Sequence, residues 1–147
     1  MTILPDIRIL KKKPLTLVAE DRESMARVIV AMISQRCDVI SVANNGEKAL
    51  QAVLEARPQL LILDIVMREL DGIQVIRRLR SLEIASRIII LTGLEDQDFV
   101  QASMTAGADA YVIKRRMSPD LLKAIDLVLD GKNFVSELNP GRTRNLC

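Results

Sequence analysis

Leu60-Leu61-Ile62-Leu63-Asp64-Ile65-Val66-Met67 is the stretch on which the fold turns. Four large apolar residues follow one another without polar alternation and stop on a carboxylate. A continuous run of that length reads as a strand covered on both faces, the habit of a parallel sheet between two layers of helices. Four further runs repeat the pattern, at Leu15 to Ala19, Val39 to Ala43, Ile88 to Leu91 and Ala110 to Ile113. Between them the apolar residues change to helical spacing: Met25, Ile29, Met32 and Ile33; Ala49, Val53 and Leu54; Ile73, Ile76 and Leu79; and Leu121, Leu122, Ile125, Val128 and Leu129. The segment from about Glu95 to Ala106 is anchored only by Phe99, Val100 and Met104. It is still expected to be a helix, because a parallel neighbour strand needs a crossover of that length. Punctuation agrees, with Asn44-Asn45-Gly46 before the second helix and Pro58 before the third strand. Asp71-Gly72 opens the third helix, Gly107 closes the fourth, Ser118-Pro119 stands as N-cap and N1 of the fifth, and Gly131 ends it. The expectation is an α/β, flavodoxin-like (βα)5 fold: a doubly wound, five-stranded parallel sheet with helices on both faces and right-handed crossovers.

The 147 residues suit one domain, expected over 15–136, with an arm over 1–14 and a tail or linker start over 137–147. Lys11-Lys12-Lys13 reads as a solvated leader. The 21 basic and 19 acidic residues are spread along the chain, and there are only two Phe, one Tyr and no Trp. No positive field and few stacking platforms for bases follow, so direct nucleic-acid binding by this chain is not expected. Cys37 and Cys147 make no disulfide framework, and no run approaches the roughly 18 to 20 apolar residues that cross a bilayer. A cytoplasmic protein with no membrane partner is the expectation. Histidine is absent, which excludes His-ligated metals, Ser-His or Cys-His nucleophiles and a phosphohistidine carrier within the chain.

In such a sheet, ligands bind beyond the carboxyl ends of the strands where the strand order reverses. The residues delivered to that edge are Glu20-Asp21 after the first strand, Asp64 after the third, Thr92 after the fourth and Lys114 after the fifth. Three converging carboxylates repel unless a cation compensates, and all-oxygen ligation beside a phosphoryl oxygen suits Mg²⁺. Lys114 adds a positive charge, and the Thr92 hydroxyl can donate to an anionic oxygen.

These residues bring the sequence into register with a known family. Leu17-Val18-Ala19-Glu20-Asp21, Leu60 to Met67, Leu70-Asp71-Gly72-Ile73, Ile90-Leu91-Thr92-Gly93 and Gly107-Ala108-Asp109-Ala110-Tyr111-Val112-Ile113-Lys114 resemble the response-regulator receiver domain of the CheY-like superfamily, most of all the NarL/FixJ type. The resemblance runs from about Leu15 to about Ser136. It implies that Asp64 accepts a phosphoryl group from a sensor histidine kinase, and that Mg²⁺ or Mn²⁺ is held by Asp21, Asp64 and the Val66 carbonyl, with Glu20 acting through water. It further implies that Thr92 and Lys114 contact the phosphoryl oxygens, and that Tyr111 swings inward with Thr92 to switch the α4-β5-α5 surface. The only catalysis implied is the domain's own phosphoryl transfer and dephosphorylation. Homodimerisation on phosphorylation and transcriptional output through a DNA-binding domain absent from this chain belong to the same expectation. So does the view of the chain as a fragment of a longer regulator.

Arg68 departs from the family pattern, which has proline after the methionine, so the loop is expected to gain flexibility and a nearby cation. Arg115 and Arg116 stand where other subgroups carry proline. Two enzyme-like readings fit less well. A flavin or nucleotide carrier needs an amide-presenting loop after the first strand, where Glu20-Asp21-Arg22-Glu23 stands, and an Asp-nucleophile phosphatase wants a carboxylate where Val66 stands. A stand-alone or degenerate receiver, acting only as a protein-binding module, is the alternative.

Overall fold

The computed structural model of the chain describes residues 12–138. Five helices and six strands alternate along it: β1 (Leu15–Ala19), α1 (Glu23–Ile33), β2 (Asp38–Ala43), α2 (Gly46–Ala56), β3 (Leu60–Leu63), α3 (Gly72–Ser81), β4 (Arg87–Thr92), α4 (Gln97–Ala106), β5 (Ala110–Ile113), α5 (Met117–Leu129) and β6 (Phe134–Val135). The sheet is parallel throughout, in the order β2-β1-β3-β4-β5-β6. From β1 the chain steps outward to β2 and then crosses back to β3 on the other side. The strand order therefore reverses between β1 and β3.

The four-residue run of β3 shows why continuous apolar strands were needed. Leu61 and Leu63 face a core shared with Val53 of α2, Ile76 of α3 and Val100 of α4, whereas Leu60 and Ile62 face one shared with Ile29 of α1 and Leu121 of α5. With both faces covered, no polar alternation is tolerated. Helix starts are fixed by local chemistry. Asn45 caps α2 through the Lys48 amide at 2.8 Å, and Asp71 forms a reciprocal box with Gln74 at the head of α3. Such a cap is worth about 1 kcal/mol.

Three expectations are corrected. A sixth strand exists, because Phe134 and Val135 pair with Ala110 and Tyr111 of β5; two residues are too few to leave a periodic signal. β2 is not covered on both faces: as the edge strand it leaves Ile40 40% and Val42 46% exposed, and its register with β1 shifts between Thr16 and Leu17. Such an irregularity on an edge discourages further strand pairing. Finally, α5 starts at Met117 after a 3-10 turn over Lys114–Arg116, so Ser118-Pro119 lies within its first turn. Proline is tolerated there because the first helical amides have no intrahelical acceptor.

The arm over 1–14 and the tail over 137–147, Cys147 included, fall mostly outside the described residues. Of the lysine run, Lys13 donates to the Ser34 carbonyl at the end of α1 (3.1 Å). No helix among the described residues is long and apolar enough to cross a membrane.

Candidate functional site: an acidic cleft at the strand-order reversal

Because β1 and β3 are neighbours, the residues that follow them meet above the sheet. Glu20 and Asp64 are 2% and 6% exposed, and the Lys114 ammonium, coming off β5, donates to both: 2.7 Å to Glu20 Oε1 and 2.7 Å to Asp64 Oδ2. Burial alone would lower the Lys114 pKa, but the hydrogen bonds and charges of Asp64 and Glu20 outweigh it and hold the ammonium above its ordinary value. Lys114 therefore stays charged through the neutral range. The second oxygens are also engaged, Glu20 Oε2 by the Arg22 amide at 3.0 Å and Asp64 Oδ1 by the Val66 amide at 3.3 Å.

Asp21, Asp64, Val66, Thr92 and Lys114 line one cleft of about 350 Å³ together with Arg22, Gly93 and Leu94. Thr92 is fully buried, and its hydroxyl only accepts a long bond from the Leu94 amide (3.5 Å), so its proton has no acceptor among the described residues. Tyr111 does not line the cleft. It is fully buried behind the cleft, and its hydroxyl donates to the Leu94 carbonyl at 2.7 Å, the inward arrangement. Desolvation first, then the negative charges of Asp64, Asp96 and Glu95, push its ionisation far up, so it acts as a neutral donor.

The loop that carries Asp64 into α3 is tied down although it lacks proline. The Arg68 carbonyl accepts from Gly46 (3.2 Å) and Leu70 (2.8 Å), and the Gly72 amide donates to the Ile65 carbonyl (2.9 Å). A Cβ on Gly46 would lie 1.6 Å from the Leu70 carbonyl oxygen, and one on Gly72 would lie 2.2 Å from that of Asp64, so only glycine permits this packing. The exposed Arg68 side chain is not among the residues lining the cleft.

The donor set suits a hard divalent cation. Three carboxylates and one ammonium leave two negative charges, and Asp21 has no hydrogen-bonded or ionic partner among the described residues. No three His, Cys, Asp or Glu side chains there are grouped to ligate an ion by themselves. A cation would complete its shell with main-chain and water oxygens, which is Mg²⁺ chemistry.

Two features escaped the sequence reading. Glu95 and Arg115 form a two-point ion pair (2.9 and 3.2 Å) from the β4–α4 loop to the turn after Lys114. Their opposite charges, one next to Lys114 and one three residues past Thr92, were the available signal. The second is the buried Asp120, which accepts from Ser136 Oγ (2.7 Å) and Arg116 Nε (3.0 Å), while Ser136 Oγ accepts from the Ile113 amide (3.1 Å). Nothing in local periodicity marks a helix-face aspartate as buried.

Over 129 residues, 86% of this chain and 60% of the relative, the sequence is 29% identical to the nitrate/nitrite response regulator protein NarL of Escherichia coli K12. It is 28% identical to the chemotaxis protein CheY of Halobacterium salinarum over 77% of this chain and 94% of that protein. It thus matches CheY nearly end to end but spans only about half to 60% of its longer curated relatives. The signal receiver domain of NarL from Mycobacterium tuberculosis superposes with a TM-score of 0.79 at 23% identity, covering 83% of this chain and all of that one. Residues 16–126 match the response regulator receiver domain family, and the chain belongs to it.

Proposed function

We propose that Asp64 is the phospho-acceptor of this receiver domain. The observation that carries the reading is the Lys114 ammonium held between the buried Glu20 and Asp64 at the strand-order reversal, with Asp21, Thr92 and the Val66 segment lining the same cleft. An Asp64 carboxylate oxygen attacks the phosphorus of a phosphohistidine on a sensor histidine kinase, the P–N bond breaks, the imidazole leaves and an acyl phosphate remains. Phosphoryl transfer asks little covalent help of the protein and much charge neutralisation. Lys114 supplies one cation, and the Thr92 hydroxyl, with no acceptor of its own among the described residues, donates to a phosphoryl oxygen. Asp21, Asp64 and the Val66 carbonyl would hold Mg²⁺ or Mn²⁺, with Glu20 acting through water. The ion would neutralise phosphoryl charge. Hydrolysis of the acyl phosphate in the same cleft resets the domain.

The added phosphoryl charge, about −1.5 to −2, draws Thr92 toward Asp64 and, with Tyr111, resets the α4–β5–α5 surface. The functional unit is residues 15–136, acting in the cytoplasm. Its kinship with longer transcription regulators supports an output through a DNA-binding domain outside this chain, with homodimerisation of the phosphorylated form.

Intact mass after incubation with Mg²⁺ and acetyl phosphate tests this, on the wild type and on Asp64→Asn. One phosphoryl adduct, seen only in the wild type and lost on chelation of Mg²⁺, is expected. No adduct on the folded wild type overturns the proposal and leaves a domain that works only by binding other proteins.

A further inference from the structure

The β4–α4 loop carries Thr92 at one end, Leu94 and Glu95 in its middle and the N-cap of α4, Asp96, at the other. On its inner side it is held by Tyr111, whose hydroxyl reaches the Leu94 carbonyl. On its outer side it is held by the next residue, Glu95, whose carboxylate takes Nη2 of Arg115 at 2.9 Å and Nε at 3.2 Å. The Glu95 side chain is only 9% exposed, against 46% for Arg115. Arg115 lies in the short turn that begins with Lys114. One turn of chain thus sends consecutive cations to the two walls of the cleft, Lys114 to the acidic wall and Arg115 to the Thr92 loop. Neither Glu95 nor Arg115 belongs to the set of site residues that the family resemblance implies.

We propose that the Arg115–Glu95 pair is a latch that positions the β4–α4 loop over Tyr111 and biases the domain toward the tyrosine-inward arrangement. Moving the loop far enough for Tyr111 to leave breaks both guanidinium bonds, so the pair adds directly to the cost of opening. The planar two-point geometry ties the loop in orientation as well as distance, which a lysine ammonium does not do. Its partly exposed position limits the bias to a few-fold in population, enough to tune a switch without locking it. As a control on signalling, the latch rests on the phospho-acceptor reading given above; as a control on Tyr111, it does not.

Tyr111 is the only tyrosine and the chain has no tryptophan, so tyrosine fluorescence reports on this residue alone. Acrylamide quenching, read without any phosphodonor, measures its access to solvent. Wild-type protein should quench weakly. Arg115→Gln and Arg115→Glu should raise the quenching constant by about three- to fivefold, with Arg115→Lys in between. The double exchange Glu95→Arg with Arg115→Glu should return it toward wild type. Thermal melts followed by circular dichroism verify that each variant is folded at the assay temperature. Unchanged quenching in both Arg115→Gln and Arg115→Glu overturns the latch, and so does an increase that the double exchange fails to reverse. Failure of Asp64 to take a phosphoryl group would appear in the mass experiment and leave this comparison untouched.

Discussion

Glu20 and Asp64 share one ammonium in a place where neither has much water to fall back on. Removing one partner from a buried charge cluster is costly because the others keep their desolvation penalty without the compensating attraction. Lys114→Ala is therefore expected to lower unfolding stability at pH 7 by on the order of 3 kcal/mol, as measured by urea titration. Part of the loss should return with added Mg²⁺. If Lys114→Ala costs nothing, the ammonium is not balancing the cluster. Most of this centre was legible residue by residue, because each participant stands immediately after an apolar run and β-α alternation sends all of those positions to one edge. What was not legible was which carboxylates the lysine would join. It bonds Glu20 and Asp64 directly, and Asp21 is the acid that has no partner among the described residues.

At the level of elements, order and type followed from periodicity, and the discrepancies lie where an element is too short or a partner too distant to leave a periodic trace. β6 is two residues long, and exposure of β2 depends on its place in the sheet rather than on its own composition. The amino ends of β4 and β5 are held by Arg80 of α3, which donates to the carbonyls of Gly107 (3.0 Å), Ile84 (2.7 Å) and Ser86 (2.9 Å) and to Asp109 Oδ2 (3.1 Å). Arg80→Lys should cost about 2–3 kcal/mol despite conserving charge, since an ammonium cannot serve the planar fork and buried carbonyls lose donors; a chemical denaturation curve reads this directly. The turn between α3 and β4 carries a local misfit, Glu83 at φ 60. Glu83→Gly is expected to raise stability by about 0.5–1 kcal/mol, because a side chain in the left-handed region is strained and glycine is not. An unchanged or lower midpoint would mean that the Glu83 side chain has a compensating role.

For the whole molecule, the fold and the location of the cleft follow from the strand pattern, while the contacts that close the structure at its C-terminal end do not. Asp120, 4% exposed, joins α5 to the segment after β6 through Ser136 and to the turn after β5 through Arg116. Desolvation raises its pKa, but the Ser136 hydroxyl and the Arg116 guanidinium outweigh that, and the net value lies below the ordinary 3.8. A depressed carboxylate pKa stabilises the fold fully above the unfolded value and loses that contribution as pH falls through the folded one. Asp120→Asn should accordingly reduce stability by about 2 kcal/mol at pH 7 and flatten the loss of stability below about pH 4, as followed by urea titrations across the acid range. A parallel acid limb in wild type and variant would contradict the assignment.

The central claim is chemical and positional: a phosphoryl group on the Asp64 carboxylate. Borohydride reduces an aspartyl phosphate to homoserine and leaves ordinary carboxylates intact, so treating the acetyl phosphate-loaded domain and mapping its peptides by mass reads the position directly. Homoserine at position 64, and at no other aspartate, is the result this account predicts. Homoserine at Asp21 or elsewhere, with Asp64 unchanged, would contradict it.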